Sequence, residues 1–246
     1  MNLVPDRSEL MWPPEKTLFP VRQVTLAVEP GDHPFHLAER EAAARNWREE
    51  VLRNPALFDG KIVFQRRLGF EDGAIRGTGH IIPYSTFLWW RSRPAPTSGF
   101  HLFGFPVLVS SDGAIIAVRM SEHTANPGQV YCAAGSLDDG DVVDGYCDLL
   151  GNMLREVREE TGLELSADDT DNELFASHQR RRVTVYRFFH LQESARELVA
   201  RIEEHMRGEE RAEIAGAVAI RSPDPTAHPY AAAMLPLIDW FFAGDR

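Results

Sequence analysis

Cysteine is scarce in this chain. Its two cysteines, Cys132 and Cys147, belong to no CxxC pair, which excludes a disulfide framework and leaves both as small interior side chains. Long apolar runs are missing as well. The stretch nearest to a membrane span, IIPYSTFLWW (81–90), is too short and too interrupted by proline and polar residues to cross a bilayer. No basic-then-apolar leader opens the chain, so we expect a cytoplasmic protein with no membrane partner. Basic charge is in deficit: Lys and Arg total 26 against 37 Asp and Glu, a formal net charge of −11. Binding along a nucleic-acid backbone needs a contiguous basic face, so no nucleic-acid partner is expected. A small anionic substrate stays open if cations are focused locally. HPFH (33–36) lacks the second half of a zinc site and reads as a helix start. There is no internal repeat and no low-complexity tract.

What is present is the balance of a folded protein, 43% hydrophobic and 26% charged over 246 residues, enough for one large or two small cores. A proline-punctuated segment (1–30) ends in strand-like VTLAV (24–28). Residues 36–55 read as an amphipathic helix with Leu37, Ala44, Trp47 and Val51 on one stripe, stopped at Asn54-Pro55. Residues 60–92 carry β-rich runs on both sides of EDG, a hairpin signature. RPAPTSG (93–99) is the best linker, and we place a boundary near 98, giving segments 1–98 and 99–246.

Beyond it, 103–120 reads as two strands joined at Ser-Asp-Gly, and 129–135 as a third ending at glycine. A helix follows in which Tyr146, Leu149, Leu150, Met153 and Val157 recur at steps of three and four, capped by Gly162. Strands at 173–179, 181–192 and 213–220 and helices at 193–206 and 228–242 complete the pattern. Pro229 falls in the first turn of the last helix, and Pro236 should kink it. Intermixed strands and helices indicate helices covering a mixed sheet, an α/β (α+β) fold.

The chemistry concentrates in LREVREETGLEL (154–165). Glu156, Glu159 and Glu160 lie within one helical turn, where carboxylates repel one another unless a cation lies between them. Arg155, Glu156, Val157, Glu159, Glu160, Gly162 and Leu163 match without a fault the second half of the box of the Nudix hydrolases, which the chain therefore resembles. The first half departs from that pattern: Gly135 and five residues lead to Asp141, where the family has glutamate, and thirteen residues rather than seven separate Asp141 from Arg155. Residues 47–64 and 84–91 are loosely similar to the N-terminal extension of a subgroup that cleaves UDP-glucose and UDP-galactose.

The resemblance implies a Nudix-type α/β/α sandwich with a mixed sheet over about 100–243, plus an N-terminal helix and β-hairpin extension. It implies metal-dependent hydrolysis of the diphosphate linkage in a nucleoside diphosphate joined to another moiety, for example a nucleotide sugar, releasing a nucleoside monophosphate. Mg²⁺ or Mn²⁺ would be held by Glu156, Glu159 and Glu160, with Arg155 orienting the carboxylates. Hard divalent cations suit such a site because they take oxygen ligands and leave positions for water and phosphate. The general base is Glu159 or a residue of a loop outside the box, for which Glu209, Glu210 and Glu213 are candidates.

Arg119, His178, Arg180, Arg182 and Arg187 are candidates for binding substrate phosphates and hydroxyls. Tyr84, Trp89 and Trp90 either stack on substrate or fill the core. ADP-ribose or dinucleotide cleavage is the chief rival activity, and a non-catalytic nucleotide-binding sensor is the rival class. Coenzyme A cleavage fits less well, because the arginine-containing run expected before the box is missing from 121–135. The apolar 81–90 segment suits a homodimer interface or burial within one chain.

Overall fold

The computed structural model describes residues 12–244; residues 1–11 and 245–246, including the start of the proline-punctuated segment, lie outside it. The fold is α+β, with two mixed sheets and five helices among the described residues. The larger sheet runs in the order β1 (Phe19–Val21), β10 (Thr170–Gln179), β11 (Arg182–His190), β5 (His101–Val109), β6 (Ile115–Met120), β12 (Ile214–Ile220), with β7 (Val130–Tyr131) also against β6. Only β11 and β5 pair in parallel. The second sheet runs β3 (Lys61–Glu71), β4 (Ala74–Pro83), β2 (Gln23–Val28), β9 (Tyr146–Cys147), β8 (Val142–Val143), with β2 and β4 parallel. Each sheet takes strands from both sides of residue 98.

One core lies between the sheets, where Val63, Leu68 and Ile75 meet Leu102, Leu137, Met153 and Val185. A larger one covers the β5–β6 region with α3 (Leu149–Thr161), α4 (Ala195–Arg207) and α5 (Met234–Ala243), through Val157, Leu198, Ile202, Leu237 and Phe241. A third joins α1 (Pro34–Arg53) and α2 (Tyr84–Ser92) to the second sheet around Phe64 and Trp90, both fully buried. Burying side chains of this size stabilises by about 1.5–3 kcal/mol each.

The hairpin at EDG is present: β3 and β4 pair antiparallel across Asp72-Gly73, both at positive φ, the turn that matches strand twist. The β reading fails beyond Pro83. Residues 84–92 form α2, whose first turn is held by the Asp59 carboxylate accepting the Ser85 N–H at 2.7 Å. Short apolar runs buried on several sides carry no period that separates helix from strand. Here Ile82, Phe87, Leu88 and Trp90 are buried within the chain, which leaves Ile81 exposed.

Three further expectations are corrected. HPFH does start a helix, with His33 as cap, but the stripe is displaced: Phe35 and Ala43 are buried while Leu37 is 52% exposed. Tyr146 is an exposed residue of β9 rather than part of the motif helix, because the extra loop residues form a small hairpin, β8–β9, turning at Asp144-Gly145 and docking on β2. The last helix begins at Met234, so Pro229 precedes it and Pro236 lies in its first turn, where an N–H has no helical partner to lose and no kink follows.

Candidate active site

The larger sheet, α2, α3 and the loops at 56–58, 123–126 and 231–233 line a cavity of about 720 Å³, a size that holds a small ligand. One wall is acidic. After the strand pair β6–β7 the chain passes through Ala134, Gly135 and Ser136 against α3. A Cβ on Gly135 would stand 2.5 Å from Glu156 Oε1 and 2.6 Å from its Cδ, so this position accepts only glycine while the carboxylate keeps its place.

Glu156 and Glu160 line the cavity with Glu213, which immediately precedes β12. Burial pushes Glu156 up to about 7, against the pull of Arg155, and Glu159, Asp141 and Glu213 push the same way. Glu160 is raised well above the usual carboxylate range, first by burial and then by Glu156 and Glu213. Its Oε2 is buried without a hydrogen-bond partner. Carboxylates arranged like this are costly as charges and are relieved by a cation between them.

Arg155 stands behind this wall. Its guanidinium donates to both oxygens of Asp141 at 3.1 Å, meets Glu156 Oε1 at 2.8 Å and donates to Glu159 Oε2 at 3.1 Å. Burial alone would lower its affinity for a proton, but the Glu156 and Asp141 charges outweigh that and keep it protonated. Asp141, buried despite the lengthened loop, also accepts from Asn152 Nδ2 and the Asp138 N–H, each at 2.9 Å. The shorter carboxylate thus reaches Arg155, and the inserted hairpin follows it without disturbing the contact. The Glu159 side chain is 52% exposed, turned to Arg155 and absent from the cavity lining.

Among the described residues no three carboxylate, imidazole or thiol groups converge as a ready metal cage. Glu156 and Glu160 nonetheless fit a divalent cation: Mg²⁺ takes one or two carboxylates and completes its shell with water and substrate phosphate. The orphaned Glu160 Oε2 is an oxygen available for that purpose.

The opposite wall is basic and aromatic. Arg91 of α2 donates from Nη1 to Asn126 Oδ1 and from Nη2 to the Ala125 carbonyl, both at 3.0 Å. Arg182 Nη2 donates to the Arg91 carbonyl at 3.1 Å and its guanidinium lies over Trp90. Arg180, in the β10–β11 turn, donates to the Pro94 carbonyl at 3.3 Å. His101, stacked on Phe103, is lowered to about 3, chiefly by burial and then by Arg182 and Arg91, so it is neutral.

The sequence candidates are therefore divided. Glu156, Glu160, Glu213, His178, Arg180, Arg182 and Tyr84 share the cavity. His178 contacts Trp12 and the Pro13 carbonyl there. Arg119 and Arg187 do not line it; Arg187 donates to Thr170 and Asn172. Glu209 pairs with His205 at 3.4 Å, and Glu210 is exposed outside the cavity. Trp90 is core, and Trp89 donates to Glu39 at 2.9 Å. Cys132 and Cys147 are free thiols raised by burial.

Sequence reasoning did not single out Arg91, Asn126, Tyr131 and His101. Asn126 sits in a segment given no element and Tyr131 in one read only as a strand, and Arg91 was hidden by the β reading of 84–92.

No family model matches the chain, and no curated protein matches it. Among solved structures it is similar to the crystal structure of the MutT protein from Methanosarcina mazei Go1, with 15% identity, 61% of this chain and 96% of that chain covered, and a TM-score of 0.39. It is also similar to the solution structure of the E. coli ORF135 protein, with 17% identity, 58% and 91% covered, and a TM-score of 0.35. The functional reading rests on the residues themselves.

Proposed function

We propose that the protein is a divalent-metal-dependent hydrolase of the Nudix type that cleaves the diphosphate bridge of a nucleoside diphosphate linked to another moiety, such as a nucleotide sugar, releasing a nucleoside monophosphate. The observation that carries this reading is the crowding of Glu156 and Glu160 against Gly135 at the wall of a ligand-sized cavity, with burial and like charge opposing their ionisation.

Glu156 and Glu160 would hold Mg²⁺ or Mn²⁺, and the ion when bound supplies Lewis-acid neutralisation of the bridging phosphate oxygens. Arg155 fixes the Glu156 carboxylate through its fork of donors while Asp141 and Glu159 hold the fork from behind. Glu213 enters from outside the box and faces the same cavity, whereas Glu159 is turned outward; this supports Glu213 as the group that takes the proton of the attacking water. Tyr84 and the Phe87, Phe103 and Phe105 rings offer apolar surface for the base or the attached group.

The test is release of nucleoside monophosphate from nucleotide sugars, ADP-ribose and dinucleotides with Mg²⁺ or Mn²⁺. Metal-dependent release from nucleotide sugars supports the reading. Release confined to ADP-ribose or dinucleotides moves the substrate class, and tight binding without release in any metal condition shows a sensor.

A further inference from the structure

The guanidinium groups of the second wall are held by neutral oxygens. Among the described residues no ion pair joins Arg91, Arg180 or Arg182 to a carboxylate; each guanidinium is met by neutral carbonyl or amide oxygens. Lys16 lines the same cavity. Glu15 is nearby, where its carboxylate accepts the Arg180 main-chain N–H at 2.9 Å. Crowding like charges has a cost, and Arg182 shows it: burial and the neighbouring Arg91 and Arg180 all lower its hold on its proton.

The backbone adds to that cost. Arg180 and Arg181 form the two-residue turn between β10 and β11 with φ of 48° and 64°, a left-handed conformation that disfavours side-chain-bearing residues by roughly 1–2 kcal/mol each. Cations crowded in a cavity without carboxylate partners among the described residues point to an anionic ligand.

The patch is carried by α2 and the β10–β11 turn, whereas the carboxylates are carried by α3 and the residue before β12. A hydrogen-bonded chain runs from Arg91 to Asn126 and on to the Tyr131 hydroxyl, the last step at 3.2 Å. Tyr131 and Tyr84 line the same cavity as both sets of charges.

We propose that Arg91, Arg180 and Arg182 form a second anion subsite, which takes a phosphate monoester at the end of the substrate remote from the diphosphate that is cleaved. Guanidinium forks suit such a group because they match its oxygens two at a time. Among diphosphate-bridged nucleotides, those carrying a further phosphate monoester are then bound more tightly. This rests on the hydrolase reading for the orientation of the substrate, and on the arginine cluster alone for the existence of the subsite.

Two measurements separate those supports. Inorganic phosphate titrated by calorimetry into the metal-free protein should bind at one saturable site. Arg91→Gln and Arg182→Gln should each weaken that binding about tenfold, and Arg196→Gln on α4 should leave it unchanged. Circular dichroism melting confirms that each variant is folded. Steady-state cleavage is then compared for NADH against NADPH and for dephospho-coenzyme A against coenzyme A, pairs that differ by one phosphate monoester. The phosphorylated member of at least one pair should show a KM about tenfold lower at similar kcat, and Arg182→Gln should bring the two values together. Phosphate binding equal in wild type and both arginine variants overturns the subsite, whatever is hydrolysed. Equal KM values within both pairs overturn its place in substrate selection. Arginine-dependent phosphate binding with no turnover on any compound upholds the subsite and removes the hydrolase reading.

Discussion

The two walls of the cavity are opposites in charge and in construction. The acidic wall is local: Arg155, Glu156, Glu159 and Glu160 come from one helix, backed by Gly135 and Asp141. The basic wall is assembled from α2, the loop at 123–126 and the β10–β11 turn, which only the tertiary fold brings together. A local wall shows itself as a motif in the sequence, whereas a wall made of distant pieces shows nothing until the chain is folded. Both depart from what stability alone would select, since each crowds like charges in partly buried surroundings.

The largest expected effect breaks the acidic wall. Glu160→Gln or Glu156→Gln should lower turnover about 10²–10³-fold, the usual cost of removing one such electrostatic element. The same changes should leave the metal-free protein as stable or stabilise it by about 1 kcal/mol, because a strained charge has gone. Denaturant titration beside steady-state kinetics reads both. Next, Gly135→Ala drives a methyl group into the Glu156 carboxylate. Since small misplacements of reacting groups are expensive, turnover should fall about 10²-fold with metal present, which the same assay checks.

Acidification should separate the buried imidazoles from the acidic wall by sign. His33 is lowered to about 4 and His101 to about 3, both mainly by burial. Between pH 6.5 and those values the unfolded chain binds more protons than the native one, so stability present above pH 6.5 is lost as pH falls, on the order of 3 kcal/mol for His33. Glu156, raised to about 7, acts the other way: the native state holds its proton longer, and stability declines as pH rises from 4.5 to about 7. Urea midpoints of the metal-free protein between pH 4.5 and 7.5 measure the sum. His101→Phe should reduce the loss on the acid side. The smallest effect is at Phe58, 82% exposed at the cavity rim. Phe58→Ser should alter stability by no more than about 0.5 kcal/mol and raise KM a few-fold, which unfolding curves and kinetics together resolve.

Legibility in the sequence followed the range of the forces involved. The hairpin at Asp72-Gly73 and the cap at Gly162 are set by backbone geometry over a few residues and could be read directly. The α+β class followed from the alternation of such elements. In 84–92, aromatic and β-branched content outweighed a helical pattern that packing on several sides had erased, and Arg91 was lost with it. Residues 142–147 contain an Asp-Gly turn, but the helical spacing from Tyr146 to Leu150 masked it. Arg180 and Arg182 were picked out as cations, yet their lack of carboxylate partners among the described residues, which gives them meaning, depends on neighbours far away in the chain.

The central claim is that Glu156 and Glu160 hold a divalent ion at the acidic wall while Glu159 serves Arg155. Mn²⁺ binding followed by electron paramagnetic resonance tests it in wild type, Glu156→Gln, Glu160→Gln and Glu159→Gln. The account predicts at least about tenfold weaker binding in the first two variants and near wild-type binding in the third. Equal Mn²⁺ affinity in wild type, Glu156→Gln and Glu160→Gln would contradict it.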